Sequence, residues 1–224
     1  MLEKEIPTQG FEGAPRFLGF DQQGREILSF IEGGIGTYPL QHYMWSDENV
    51  REVARFLRPY HDETVGYSAP HGATWQFTYP DHRQHEVICH NDVAAYNMVY
   101  RDSKLQVLID WDTAGPEPRI CDIAYAVYRF IPLSYAQDMQ ELGLADLTTQ
   151  ARRLRLFSQA YGITLPYEEI LDAVERRLEV LCRLLLGHLH DPVYQKTIDE
   201  GHLDHYRRDI VSLQHHRTQL EQHL

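Results

Sequence analysis

With 224 residues, the chain can bury one good hydrophobic core, or a large lobe carrying a small appendage, but hardly two full domains. Asp and Glu number 33 against 21 Lys and Arg, a net charge of −12, which argues against nucleic acid and anionic membranes as partners and suits cationic or neutral small molecules. The acidic balance is also an ordinary solubility device, and that reading comes first.

In chain order, Arg16 to Phe20 and Glu26 to Ile31 are short apolar runs on either side of Asp21-Gln22-Gln23-Gly24, the pattern of a hairpin. Glu32-Gly33-Gly34-Ile35-Gly36 follows as a hinge, because glycine permits the backbone angles such a crossing needs. Ser46 is placed to cap a helix whose Val50, Val53, Phe56 and Leu57 recur at helical spacing, with an end expected near Arg58-Pro59. Tyr67 to Gln84, rich in Gly, Pro, His and aromatics, reads as a long loop, and long loops in compact domains are often functional. Val87 to Cys89, Asn97 to Tyr100 and Leu105 to Ile109 are strand-like, with Arg101-Asp102-Ser103-Lys104 as a tight turn. Asp122 can cap a helix running to about Phe130. From Leu142 the pattern is helical throughout, over Leu147 to Tyr161, Glu168 to Leu189 and Leu203 to Leu224.

The stretch Val87-Ile88-Cys89-His90-Asn91-Asp92-Val93-Ala94-Ala95-Tyr96-Asn97, followed by Ile109-Asp110-Trp111-Asp112, carries the chemistry. A phosphoryl-transfer site needs a carboxylate to take the acceptor hydroxyl's proton and, five residues later, an amide oxygen for a metal. A second strand then brings another carboxylate to the metal that bridges the nucleotide's phosphates. Asp92, Asn97 and Asp110 have those types and that spacing.

At these residues the chain resembles the aminoglycoside phosphotransferase and choline kinase-like family, small-molecule kinases that share the protein-kinase fold. The likeness extends through Gly13-Ala14-Pro15-Arg16-Phe17-Leu18-Gly19, Gly24 to Leu28, and Ala114-Gly115-Pro116 running to Asp122. It implies an α+β, protein-kinase-like fold with a mostly helical large lobe and a truncated small β lobe. Residues 1–33 would be the remnant of the small lobe with the hinge, and residues 34–224 the large catalytic lobe. Leu2 to Gln9 would be the tail of a small-lobe helix. The family's small lobe supplies a Gly-rich hairpin over the phosphates and a lysine to them. Neither is found here, since Lys4, Lys104 and Lys196 are the three lysines and none lies on a suitable strand. Losing one preorganised donor costs roughly 10²–10³ in rate, so with several missing the carboxylates are either a working remnant or a fossil.

The resemblance assigns Asp92 as catalytic base, Asn97 and Asp110 as ligands of Mg²⁺, a hard cation that prefers oxygen, and His90 and Asp122 as residues that orient the loop. Asp112 would assist the metal from behind or cap the turn at Thr113. Each has a plainer reading as a turn former or helix cap, but the joint spacing of Asp92, Asn97 and Asp110 makes coincidence a poor explanation. Trp75, Tyr79 and Trp111 are candidates for an acceptor pocket, although aromatics more often fill cores.

Thirteen histidines invite a metal hypothesis that mostly fails. His188 with His190, and His215 with His216, lack the i, i+4 spacing of a helical clamp. His202 and His205 could chelate, yet a solvated face is the default. The clusters Arg152-Arg153-Arg155 and Arg176-Arg177 alternate with leucines like solvated helix faces. Cys89, Cys121 and Cys182 have no paired spacing and suggest thiols in a reducing compartment. The start Met1-Leu2-Glu3-Lys4-Glu5 lacks signal-peptide regions and no apolar run approaches a membrane span, so a cytoplasmic location is expected.

Two functions follow. One is an ATP- or GTP-dependent phosphotransferase acting on a hydroxyl of a small molecule, such as an antibiotic. The other is a catalytically degenerate kinase-like protein that binds a ligand or partner, conferring resistance or immunity by sequestration. A two-stranded small-lobe remnant is marginal alone, so Phe17, Leu18, Ile27 and Leu28 are expected to pack on the large lobe or to pair with a second copy in a homodimer.

Overall fold

Asp21 builds the first turn. Its carboxylate accepts the main-chain N–H groups of Gln23 and Arg25 and pairs with the Arg25 guanidinium at 2.7 Å. The flanking runs then form the hairpin, with β1, Phe17–Phe20, antiparallel to β2, Glu26–Leu28. The computed structural model describes residues 11–69, 71–133, 144, 146–162 and 164–224. The helix tail expected at Leu2 to Gln9, with Lys4, and the start of the helical pattern at Leu142 lie outside the described residues.

The expected packing of the hairpin on the large lobe does not form. Phe17, Leu18, Ile27 and Leu28 remain 43–60% exposed, because two short strands offer too little area to fold back over. Within the predicted hinge lies a short strand, β3, Gly34–Ile35, which joins the sheet of β5, Met98–Arg101, and β6, Lys104–Leu108. Gly36 donates its N–H to the Ala95 carbonyl at 2.9 Å, and a Cβ there would stand 2.6 Å from the Ala95 Cβ. Glycine serves close approach at this point, not only bending.

The first long helix, α1, is Asp47–Glu63, and the Ser46 hydroxyl caps it by accepting the Asn49 N–H at 3.1 Å. It does not stop at Pro59. Proline forfeits one helical hydrogen bond, but Tyr60 and His61 in the following turn are buried, Tyr60 packing its ring on Trp111 and His61 bonding Tyr161 and Asp122, which holds the helix on course.

Beyond the long loop, β4, Val87–Cys89, pairs antiparallel with β7, Gly115–Glu117, a strand that the Gly-Pro pair conceals in the sequence. The β5–β6 turn places Asp102 and Ser103 at φ of 53° and 60°. Helices follow: α2, Ile120–Phe130; α3, Leu147–Tyr161; α4, Tyr167–Gly187; α5, Pro192–Asp199; α6, His202–Glu221. The separate α5 was not expected. Asp191 starts it by accepting the Val193 N–H, with Pro192 at the first helical position.

The core joins these helices: Val53 and Leu57 of α1, Ile123 and Val127 of α2, Leu154 and Phe157 of α3, and Leu171 and Leu178 of α4 are all buried. The arginine clusters are not simply solvated faces. Arg153 is buried and donates to the carbonyls of Trp45 and Phe130, and Arg177 is buried with its guanidinium 4.6 Å from the Phe77 ring. Both helices turn one arginine inward to satisfy carbonyls that neither helix nor strand covers. The architecture is α+β, as expected, with helices forming most of the large portion. Among the described residues, no helix is long and apolar enough to cross a membrane.

Candidate active site

The loop between β4 and β5 starts at His90 and ends in a 3-10 turn over Ala95–Asn97. It therefore bridges the β4–β7 pair and the sheet of β3, β5 and β6. Asn91 has φ of 69° and Asp110, just past β6, has φ of 65°, positions where a non-glycine residue is uncommon.

Asp122 does not cap its helix. Its two oxygens accept the main-chain N–H groups of His90 and Asn91, each at 2.7 Å, and one also meets His61 Nε2 at 3.0 Å. Burial alone would raise the Asp122 pKa, but the hydrogen bonds and interactions with His61 and His90 overcome it and hold it below the ordinary value. His61 spends its other nitrogen on the Tyr161 hydroxyl, 2.7 Å away. His61, Cys89 and Asp122 thus bring ligand-type atoms within 4.8 Å of one another. Both nitrogens of His61 and both oxygens of Asp122 are already bonded, so the cluster is a packed brace and not a metal cage.

His90 is buried. Its Nε2 donates to the Ile109 carbonyl at 3.0 Å and its Nδ1 accepts the Asp92 N–H at 3.2 Å, which fixes one neutral tautomer. Burial lowers its pKa, consistent with that state. Thr113 and Arg177, neither of which the sequence marked, tie down the loop's carbonyls: Thr113 Oγ1 bonds the His90 oxygen at 2.8 Å and the Arg177 guanidinium the Asn91 oxygen at 2.5 Å.

Within this frame the Asp92 carboxylate is held from two sides. Tyr96 donates its hydroxyl to Oδ1 at 2.6 Å, and Asn97 Nδ2 donates to Oδ2 at 2.9 Å and to the Asp92 main-chain oxygen at 3.0 Å. The Asn97 amide oxygen therefore turns away from Asp92. Tyr96 also escaped the sequence reading. Its phenol pKa is raised, by burial first and then by the Asp92 charge. Asp110 is joined to the loop through the main chain, since the Ile109 N–H bonds the Asn97 carbonyl at 2.8 Å. Partial burial, then the charges of Asp112 and Asp92, raise the Asp110 pKa, so carboxylates crowd together here.

The aromatic candidates separate. Trp111 packs edge-on against His90 at 4.5 Å and Tyr60 at 4.9 Å, and its indole N–H bonds the Leu108 carbonyl, so it supports the loop from within. Trp75 and Tyr79 lie along β7, where the Tyr79 N–H bonds the Pro116 carbonyl and a Cβ on Gly115 would collide with the Phe77 carbonyl oxygen. Neither Trp75 nor Tyr79 lines either of two cavities of about 940 and 470 Å³. Lys104 pairs with Glu52 at 3.0 Å and Lys196 with Glu200 at 3.9 Å. His202 faces Glu200 at 3.6 Å and His205 faces Asp209 at 3.2 Å.

Residues 34–157, more than half of the chain, match the model of the phosphotransferase enzyme family. The chain belongs to the phosphotransferase enzyme family. The match contains the β4–β5 loop, Asp110 and Asp122. Among curated relatives, the trifolitoxin immunity protein of Rhizobium leguminosarum bv. trifolii is 34% identical over 169 residues, 73% of this chain and 62% of that protein's length. Similar solved folds include an amicoumacin kinase in complex with AMP-PNP, Ca²⁺ and Ami (14% identity, TM-score 0.54, 83% of this chain and 64% of that one). A putative aminoglycoside phosphotransferase from Ralstonia eutropha JMP134 (14%, TM-score 0.54, 84% and 72%) and an ethanolamine kinase of Plasmodium vivax (12%, TM-score 0.50, 92% and 68%) are similar too. At such identities the likeness shows the fold, which is that of kinase-like phosphotransferases. The chain spans less than two thirds of the immunity protein and of the amicoumacin kinase.

Proposed function

We propose that the protein is a nucleotide-dependent phosphotransferase acting on a hydroxyl of a small molecule, with an antibiotic as the leading class of acceptor. The observation that carries this reading is the Asp92 carboxylate, oriented by Tyr96 and Asn97 on a loop pinned by Asp122. Asp92 would align the acceptor hydroxyl and receive its proton. His90 and Asp122 would hold the loop, and Asp112 would act from behind the metal.

Asn97 and Asp110 would hold a divalent cation, Mg²⁺ by the hardness of the donors. The residues fit such an ion: the Asn97 amide oxygen is turned out from Asp92, and the carboxylates that raise one another's proton affinity at Asp110 make a hard, anionic oxygen set. When bound, the ion would neutralise the phosphate oxygens of ATP or GTP. Residues 1–33 would belong to the small lobe and residues 34–224 to the large one.

A second reading, binding without transfer, is favoured by the similarity to a protein named for immunity to trifolitoxin. One assay separates the two. On the first reading, wild-type protein with nucleotide and Mg²⁺ yields a phosphorylated acceptor from an antibiotic panel and Asp92→Asn abolishes it. Absence of product, with antibiotic binding retained, favours sequestration. Failure of millimolar nucleotide with Mg²⁺ to raise the melting temperature counts against the phosphotransferase reading.

A further inference from the structure

The larger cavity, of about 940 Å³, lies between Tyr38 and Trp45, the end of α2, and the corner from α5 into α6. Its carboxylates already have partners. Asp209 is buried, accepts the Tyr128 hydroxyl at 2.7 Å and faces His205 at 3.2 Å; Asp204 pairs with Arg207 at 3.7 Å; Glu200 meets His202 at 3.6 Å. Among the described residues, two of its arginines meet no carboxylate. Among the described residues, Arg208 bonds the main-chain oxygen of Asp204 at 3.3 Å and no carboxylate.

Arg129 stands out further. Its guanidinium sits 5.4–5.8 Å from the rings of Tyr38, Tyr96 and Tyr128, and one nitrogen donates to the Tyr38 hydroxyl at 2.7 Å. Among the described residues it pairs with no carboxylate, and its Nε is buried without a partner. Ring faces soften a half-buried cation but do not neutralise it. Tyr96 connects this cation to the candidate base, its ring beside Arg129 and its hydroxyl on Asp92.

We propose that this cavity receives the acceptor and that Arg129 binds a carboxylate on it, so that the acceptor is a hydroxylated acid and not a polycation. The inference rests on the phosphotransferase reading for the word acceptor, but its charge preference does not. It runs against the net charge of −12, because exposed charges beyond about 8 Å are screened at physiological salt and the unpaired guanidinium inside the cavity is the nearer field.

Gluconate, sorbitol and glucamine share a six-carbon polyol and differ in the charge at one end, which makes them suitable probes. Binding to the full chain is titrated by NMR without nucleotide or metal, following the His202 and His205 ring signals at the cavity. Gluconate should bind roughly ten- to a hundredfold more tightly than glucamine, the span of a charge-assisted hydrogen bond, with sorbitol between. Arg129→Met should erase the order and Arg129→Lys should keep part of it. Equal or tighter binding of glucamine, no millimolar binding of gluconate, or a preference that survives in folded Arg129→Met overturns the proposal. Should Arg129→Met fail to fold, the wild-type order and Arg129→Lys still decide. With nucleotide absent, a negative result leaves phosphoryl transfer standing, and a failure of transfer leaves the charge preference readable.

Discussion

Asp122, in the first turn of α2, takes the main-chain N–H of His90 at 2.7 Å, 32 residues back along the chain. The same carboxylate serves Asn91 and His61. Asp122→Asn keeps the shape but replaces one acceptor oxygen by a donor that faces other donors. Hydrogen bonds to a buried charge are worth about 1.5–3 kcal/mol, and an orphaned donor adds to the loss. The expected result is a destabilisation of about 2–4 kcal/mol, read as a lower urea midpoint with an unchanged slope. An unchanged midpoint would mean that the loop does not depend on this brace.

Asp110 is the opposite case. Its left-handed backbone and its crowding with Asp112 and Asp92 carry a cost in the absence of a cation. Asp110→Asn removes like-charge repulsion at a partly exposed position, where such terms amount to about 0–1 kcal/mol. The melting temperature without ligands should hold or rise slightly, while the stabilisation by nucleotide with Mg²⁺ should vanish. A variant that melts lower without ligands and still responds to Mg²⁺ would remove Asp110 from the cation site.

Acid should destabilise the protein in two stages. The folded His90 pKa is lowered, so its contribution is full above the ordinary value of 6.5 and fades as pH falls below it, where the unfolded chain takes up the proton more readily. The folded Asp122 pKa is depressed, so its contribution is present above the ordinary 3.8 and is lost as pH falls toward the folded value. Urea midpoints measured from pH 7.5 downward should decline first below about 6.5 and again below about 3.8. In His90→Gln, the first decline should shrink.

Periodicity disclosed the hairpin, the β4–β6 strands and the helices α3, α4 and α6, because their apolar spacing survives without knowledge of neighbours. The contacts that organise the loop were less legible. Asp122 in the first helical turn reads equally as a cap from its position alone and as a loop brace only through the family resemblance, and Arg177 looks like a surface charge until the Asn91 carbonyl is found beneath it. Tyr96 gave no signal, since an aromatic before Asn97 reads equally well as core. The spacing of Asp92, Asn97 and Asp110 was legible because it is an interval along the chain and needs no knowledge of neighbours. Trp111 belongs to the same lesson: its packing on His90 and its bond to the Leu108 carbonyl could not be read from its place beside Asp110.

Most of the motif doubles as fasteners. His90 clasps Ile109, Asn97 clasps both Asp92 and Ile109, and Asp122 holds two amides at once. A descendant that had abandoned phosphate chemistry would still be obliged to keep these residues in order to fold, so a scan of the motif registers an intact scaffold whether or not turnover persists. On the proposed function, Asp110 is where folding and chemistry would part company: drift at that position, with the remaining motif unchanged, would be the signature of a lineage retired from catalysis.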